Sequence, residues 1–228
     1  MKIAILASSK GSVFRYALEI LQKCGSKTDF FMISDRVCDA EKIATDYSLP
    51  LQRIEAKDNK TFSKLCREHI SKLGGTDAVM TFVWRLVTEE LFNHYPCINI
   101  HPALLPAFKG FHAVEQAFDT NVKFFGSTLH MVDADMDHGQ VIAQTQMPCL
   151  PGMTLAQMTE AAFIQDVYLM LLVVDLLEHE VLKVFPPSVC EVKQGLFYTD
   201  RCNPLLLNDR YLEEIKKLQA SRNITVIK

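Results

Sequence analysis

The chain has 228 residues, of which 49% are hydrophobic and 22% are charged, and its formal net charge at pH 7 is -3. This length suits one domain, or one domain with an appendage, and is ample for a sizeable core. A slightly acidic chain has no electrostatic reason to bind nucleic acid or an anionic membrane, so we expect neither as a partner. We also find no signal-peptide pattern and no apolar run of membrane-spanning length, which predicts a cytoplasmic protein.

The cysteines indicate a reducing compartment. They are scattered, odd in number and without a C-x-x-C pair, so we expect reduced and mostly structural thiols. The seven positions are Cys24, Cys38, Cys66, Cys97, Cys149, Cys190 and Cys202.

Short apolar runs alternate with helical periodicity through the first part of the chain. The pattern predicts strands at residues 2–7, 30–34, 51–54 and 78–83. Helices are predicted after a polar loop at residues 8–12, and at residues 38–47 and 61–73. This alternation is typical of βαβ units, so we expect an α/β fold with a doubly wound, mainly parallel sheet.

The second part of the chain predicts fewer and less regular elements. A strand ends near residue 101, and strands follow at residues 126–133 and 140–147, with helices at residues 113–119 and 155–179. Beyond Pro186 and Pro187 the pattern indicates a strand at residues 195–198, a helix at 211–218 and a last strand at 224–227. We therefore predict a domain at residues 1–186 and a C-terminal hairpin or helix extension at residues 187–228. The extension could cover the sheet edge, mediate dimerisation or be mobile, and the protein could be a monomer or a homodimer.

Asn99 and His101 are the first candidates for chemistry. They lie two apart at the end of a predicted strand, on the same side of an extended chain. An amide that donates a hydrogen bond beside an imidazole that moves a proton suits an oxyanion at a carbonyl-like carbon. The alternative is that His101 only hydrogen-bonds the backbone of the following loop, which Pro102 and Pro106 stiffen.

Asp133, Asp135 and Asp137 form a second cluster after a predicted strand. The run lacks the glycine and terminal glutamate of a calcium loop, and a solvated turn is the commoner structure for such residues. One of these aspartates could instead orient His101 or share its proton.

Two further segments could bind ligands. The loop S-S-K-G-S at residues 8–12 opens a predicted helix and could bind a phosphate through backbone amides, although Ser12 as a helix cap explains it equally well. The sequence Trp84, Arg85, Leu86 could line a slot for a flat heterocycle, or Trp84 could be a core aromatic and Arg85 a surface charge. We find no serine-hydrolase signature and no zinc-binding spacing.

Three motifs together resemble the folate-dependent formyltransferases. They are N-I-H-P-A-L-L-P-A-F-K-G-F-H at residues 99–112, G-S-T-L-H at 126–130 and D-x-G-x-V-I-A-Q at 137–144. The similarity runs from Met1 to about Val184. The resemblance implies a Rossmann-like formyltransferase fold and transfer of a formyl group from 10-formyltetrahydrofolate, the co-substrate, without a metal. The implied acceptor is the primary amine of glycinamide ribonucleotide, a phosphorylated precursor in purine biosynthesis.

The resemblance also implies roles for individual residues. The catalytic set is Asn99, His101 and Asp137, in which Asp137 would hold an ordered water and assist proton transfer. The cofactor-binding residues implied are Trp84, Arg85, Leu86, Val87, His138 and Gln140. The substrate-binding residues implied are Lys10, Gly11, Ser12, Val13 and Asp166.

The departures from the family pattern lie on the acceptor side. They are Ser9, Val13, Asn59 and Asp166, the last in place of a glutamate. Other hypotheses are therefore an amino sugar nucleotide as the acceptor, or water, as in a formyltetrahydrofolate deformylase. A third, of another class, is a non-catalytic folate- or nucleotide-binding protein, against which the intact Asn99, His101 and Asp137 argue.

Overall fold

The computed structural model describes residues 1–193, 195–196, 198–224 and 226. The strands are β1 Lys2–Ala7, β2 Asp29–Ser34, β3 Leu51–Arg53, β4 Ala78–Phe82, β5 Cys97–His101, β6 Phe124–Met131, β7 Val141–Pro148, β8 Leu182–Phe185, β9 Val189–Val192 and β10 Cys202–Asn203. The helices are α1 Ser12–Cys24, α2 Ala40–Asp46, α3 Asn59–Lys72, α4 Glu89–Phe92, α5 Ala113–Asp119, α6 Leu155–Glu178 and α7 Asp209–Ser221.

Eight strands form the central sheet in the order β10-β7-β6-β5-β4-β1-β2-β3. The first five strands of the chain run parallel, which confirms the predicted doubly wound α/β fold. β6, β7 and β10 extend the sheet with antiparallel pairings. β2 and β3 lie on one side of β1, and β4 and β5 lie on the other, so the strand order reverses between β1 and β4. Ligands of such folds bind beyond the carboxyl ends of the strands at that point.

Helices cover both faces of the sheet. On one face α1, α6 and α7 pack into the larger core cluster, and on the other α3 and α4 pack into a smaller one. α6 is apolar almost all round because it lies between the sheet and the other helices. Thr154 and Gln157 form a capping box at its N-terminus.

The chain after α6 differs most from the prediction. Pro186 and Pro187 lie in the turn of a hairpin between β8 and β9, so the predicted boundary at residue 187 falls inside this turn. The weak alternation there did not predict these two strands, which form a separate two-stranded sheet. Gly195, Leu196 and Tyr198 are not in a strand, so the strand predicted at residues 195–198 is not seen there, and its remaining residue lies outside the described residues. Of the strand predicted at residues 224–227, Ile224 and Val226 are not in a strand, and the other two residues lie outside the described residues.

The C-terminal extension packs on the domain. β10 pairs with β7, Cys202 opposite Thr145, and so covers that edge of the sheet. Tyr211 and Ile215 on α7 are buried in the larger core cluster. None of the helices in the described part of the chain is long and apolar enough to cross a membrane.

Candidate active site

β5 delivers Asn99 and His101 to the carboxyl edge of the sheet. Ile98 and Ile100 point into the larger core cluster, so Asn99 and His101 share the opposite side of the strand. Thr81 Oγ1, on the neighbouring strand β4, donates to Asn99 Oδ1 at 3.3 Å. This bond turns Asn99 Nδ2 toward His130 Nε2, 3.4 Å away. An amide nitrogen carries two hydrogens, so Asn99 can donate to His130 and to a ligand at once.

His101 lies between two acceptors. Its side chain is buried, Nε2 donates to the carbonyl oxygen of Phe108 at 2.8 Å, and Nδ1 lies 3.4 Å from Asp137 Oδ2. A carbonyl and a carboxylate only accept hydrogen bonds, so this geometry suits a ring protonated at both nitrogens. The Nδ1 contact is longer than a usual charge-assisted hydrogen bond, and its proton is therefore the more readily given to a ligand.

Asp137 connects the two loops that follow β5 and β6. It has a φ of 50°, in the left-handed region that aspartate tolerates better than most residues. Its Oδ2 accepts a hydrogen bond from the backbone N–H of Gly110 at 2.8 Å. Of the three readings of the aspartate run, the structure favours the one in which an aspartate orients His101. Asp133 instead accepts a turn bond from the backbone of Asp135.

His130 was not among the predicted site residues. It lies on β6 directly opposite Asn99, and its Nε2 is 3.6 Å from Asp137 Oδ1. Burial lowers the pKa of His130, and its Nδ1 donates to the carbonyl oxygen of Met131 at 2.8 Å, so Nε2 carries the lone pair. The motif G-S-T-L-H contained this residue, but only the register between β5 and β6 shows that it meets Asn99.

A cavity of about 300 Å³ opens in front of these residues. Trp84 and Leu86 form an apolar wall, with 66% and 48% of their surfaces exposed. The remaining lining comes from the ends of β4 and β5 and from the two loops after β5 and β6. These lining residues include Thr81, Val83, Arg85, Val87, Asn99, His101, Pro102, Gly110, Phe111, His130, Val132, Ala134, Met136 and Asp137.

The other residues implied to bind the folate lie around this cavity in different ways. Val87 is buried beneath the wall, and the guanidinium of Arg85 is turned toward Asp35 rather than toward a ligand. His138 is exposed and pairs with Asp133 at 3.3 Å, outside the cavity lining. Gln140 also lies outside the lining, where its side chain exchanges two hydrogen bonds with the backbone of Cys190. Gln140 therefore holds the β8–β9 hairpin against the loop after β6.

The loop after β1 joins that strand to α1 as predicted, but the residue at the cap position is Gly11, and Ser12 is the first residue of the helix. Gly11 has a φ of 64° and approaches α2 so closely that an added Cβ would lie 2.9 Å from Ile43. A side chain there would be both strained and crowded. The loop leads into α1, whose first backbone N–H groups start at Ser12, and Lys10 beside it is exposed. Helix starts of this kind favour anions.

Asp166 lies on the face of α6 that meets β6. Burial raises the pKa of Asp166 to about 7, because the charged form loses hydration, and the nearby Ser127 hydroxyl opposes this rise. Within the described part of the chain, no group donates a hydrogen bond to its buried Oδ1. In those same residues, no group of three or more His, Cys, Asp or Glu side chains could hold a metal ion.

Comparison with known proteins places the chain in a family. The sequence pattern described as formyl transferase matches residues 1–174. The chain belongs to the formyl transferase family. It is thus a formyltransferase, and the matched region contains β1 to β7, all the catalytic candidates and Asp166, whereas the hairpin, β10 and α7 lie beyond it.

Individual relatives of this formyltransferase agree in name. The phosphoribosylglycinamide formyltransferase of Mycobacterium tuberculosis (strain ATCC 25618 / H37Rv) is 30% identical over 158 residues, covering 66% of this chain and 73% of the relative. That of Bacillus subtilis (strain 168) is 34% identical over 153 residues, covering 63% and 77%. Among solved structures, glycinamide ribonucleotide transformylase 1 from Symbiobacterium toebii has a TM-score of 0.76 at 25% identity, covering 85% of this chain and 94% of that one.

Proposed function

We propose that this formyltransferase transfers the formyl group of 10-formyltetrahydrofolate to the primary amine of glycinamide ribonucleotide. The observation that carries the proposal is the convergence of Asn99, His101 and Asp137 on one cavity. His101 and Asp137, 36 residues apart in sequence, lie within 3.4 Å of each other there, in a chain of this family. The names of the relatives favour glycinamide ribonucleotide as the acceptor.

The cavity fits a folate. Trp84 and Leu86 expose apolar surface that a flat pteridine would cover. The backbone of the loop from Asp133 to Asp137 lines the opposite side and offers donors and acceptors for a heterocycle edge. When bound, 10-formyltetrahydrofolate supplies the formyl group as the electrophile.

Asn99, His101 and Asp137 can stabilise the negative charge that develops in the reaction and accept the proton that the amine loses. As the amine adds to the formyl carbon, negative charge develops on the formyl oxygen, and Asn99 Nδ2 is a neutral donor for it. His101 can supply a second donor at Nδ1 when that proton leaves its long contact with Asp137, while Nε2 stays bonded to Phe108 and holds the ring. Asp137 keeps its bond from Gly110 and can accept the proton that the amine loses, directly or through water. Transfer of a proton to the folate nitrogen would then let the bond between that nitrogen and the formyl carbon break, which would release tetrahydrofolate.

The acceptor would lie along the loop after β1 and the face of α6. The backbone of Gly11 and Ser12, with Lys10, would bind the phosphate at the start of α1. Asp166 would accept hydrogen bonds from the ribose hydroxyls through its carboxylate, although its Oδ1 is buried and an aspartate reaches less far than the glutamate it replaces. Val13, which packs against the core, would contribute only its backbone N–H.

A product assay tests the proposal. The purified protein is mixed with 10-formyltetrahydrofolate and, separately, glycinamide ribonucleotide, an amino sugar nucleotide, or buffer alone. We expect formylation of glycinamide ribonucleotide and slow release of formate in buffer alone. Formylation of the amino sugar nucleotide instead would show that this nucleotide is the acceptor. Fast release of formate in buffer alone would identify a deformylase, and no turnover would indicate a binding protein.

A further inference from the structure

Asp35, the residue that follows β2, carries a buried charge close to the cavity. Its carboxylate has no solvent exposure, yet it is not itself part of the cavity lining. Arg36 binds it with two hydrogen bonds of 3.0 and 2.8 Å, and Arg85 Nε donates to its Oδ2 at 3.0 Å. Burial pushes the pKa of Asp35 upward, but the hydrogen bonds from Arg36, Ser8 and Arg85 outweigh burial and leave the pKa below its ordinary value. The group is therefore a carboxylate at neutral pH.

Arg85 is held on its other sides too. Its Nη2 donates to the carbonyl oxygen of Ala56 at 2.8 Å, and its guanidinium lies 5.4 Å from the centre of the Phe62 ring. Two of the three guanidinium nitrogens and one face of the group thus contact protein groups. A charge engaged in this way orients the backbone that carries it rather than a ligand.

The neighbouring backbone is tied at two more points. The N–H of Trp84 donates to Ser8 Oγ at 3.0 Å, and the N–H of Thr88 donates to Ser63 Oγ at 3.0 Å. Between these bonds the side chains alternate: Arg85 and Val87 turn into the protein, while Trp84 and Leu86 turn outward. The chain bends at Trp84 and Arg85, and because its backbone is bonded on both sides of them, holding the inward residues also limits the directions open to the outward ones.

We propose that Asp35 is a positioning residue for donor binding, because its carboxylate holds Arg85 and thereby sets Trp84 and Leu86 against the pteridine ring. The inference rests on the proposed function, in that it takes the donor to be a folate bound at this wall. The side chain of Asp35 touches no ligand, and its effect passes through the segment from Trp84 to Val87.

Asp35→Asn tests the positioning role. The amide preserves the shape of the side chain but removes its charge and places hydrogens where two arginines donate. We expect the Kd for 10-formyltetrahydrofolate to rise about tenfold, the effect of losing a buried charged hydrogen bond. Trp84 is the only tryptophan in the chain, so its fluorescence reports both donor binding and the order of the wall. We expect greater quenching by acrylamide in the free variant, and a higher KM for the donor with kcat and the acceptor KM nearly unchanged.

Two further variants separate positioning from general damage. Arg36→Gln removes the other partner of Asp35 but keeps the bond to Arg85, so we expect donor affinity within about twofold of wild type. Arg85→Lys keeps the positive charge but cannot reach both Asp35 and Ala56, so it should weaken donor binding as Asp35→Asn does. The double variant Asp35→Asn/Arg85→Lys should then bind the donor as tightly as the single variant that has the lower donor affinity. If Asp35→Asn does not fold, Arg85→Lys by itself tests the positioning role.

Unchanged donor affinity and Trp84 quenching in folded Asp35→Asn or Arg85→Lys would overturn the positioning role. Equal weakening by Arg36→Gln would also overturn it, since the effect would then be general. These outcomes are measured by binding, so they differ from failure of the proposed function, which would appear as a wild-type protein that does not bind the donor or formylates no amine.

Discussion

At the scale of single residues, the site depends on two histidines with different hydrogen-bonding roles. His101 faces a carbonyl and a carboxylate, so its ring is placed to donate from both nitrogens. His130 is neutral, because burial lowers its pKa, and presents a lone pair to Asn99. One ring can therefore donate to the reacting oxygen while the other orients the amide that assists it.

Loss of either member of the ion pair should slow the chemical step. We expect His101→Ala or Asp137→Asn to lower kcat for formyl transfer by at least about a hundredfold, the lower range for a positioned acid or base. Steady-state kinetics measure this, with circular dichroism to confirm folding. His94→Ala, at an exposed histidine away from the cavity, is the matched control. Near-normal turnover in a folded His101 or Asp137 variant would contradict the mechanism.

The protonation of Asp166 should appear in the pH dependence of stability. Its pKa is raised from 3.8 to about 7, so between these values the native state binds more protons than the unfolded state. The stability that this group contributes is therefore present at low pH and lost as pH rises toward and through about 7. Asp166→Asn lacks this loss, so the variant should gain stability relative to wild type between about pH 5 and about pH 8. Urea unfolding at both pH values measures the free energy of unfolding of each protein. An equal fall in this free energy from the lower to the higher pH in wild type and variant would refute the prediction.

At the scale of elements, the extension attaches to the helices of the acceptor side. The guanidinium of Arg222, just after α7, lies 4.9 Å from the ring centre of Tyr16 on α1 and 4.5 Å from that of Phe163 on α6. It also forms an ion pair with Glu160. One side chain thus connects three helices near the start of α1.

Removing this connection should loosen α7. We expect Arg222→Ala to lower the free energy of unfolding by about 1–2 kcal/mol, because two cation–π contacts and a partly exposed ion pair are lost. Denaturant unfolding measures the loss. Lys216→Ala, an exposed position of α7, should change the stability by less than about 0.5 kcal/mol, and an equal effect of both variants would argue against a specific role for Arg222.

At the scale of the whole molecule, the extension and the family domain share one core. Ile215 of α7 is fully buried in the cluster that includes β1, α1 and α6. Trp84 lies at the cavity, on a different part of the sheet. Because a single core joins them, we predict that both regions unfold together.

Ile215→Ala tests this cooperativity. The cavity left by a truncated isoleucine should cost about 2–5 kcal/mol of unfolding free energy. Trp84 fluorescence and far-ultraviolet circular dichroism should then report the same shifted midpoint. Leu65→Ala on α3, where the side chain is 36% exposed, should cost much less. Separate midpoints for the two signals would indicate that the extension unfolds independently.

The sequence by itself determined the order of most strands and helices and pointed to Asn99 and His101 as candidates for chemistry. Strand and helix patterns are local, since they follow from spacings of two to four residues, and this is why α5 was predicted with the bounds the structure has. The resemblance added the catalytic pairing of Asp137 with His101, because the family motif preserves both positions. Elements without a local pattern, such as β8 and β9, were missed.

Only the tertiary structure decided which polar groups meet. Asn99 faces His130 because of the register between β5 and β6, and Asp35 reaches Arg85, 50 residues away, because β2 and β4 lie on either side of β1. The environment of each group then sets its charge: burial raises the pKa of Asp166 and lowers that of His130. Such contacts and burial depend on how distant segments pack, so no spacing along the chain records them.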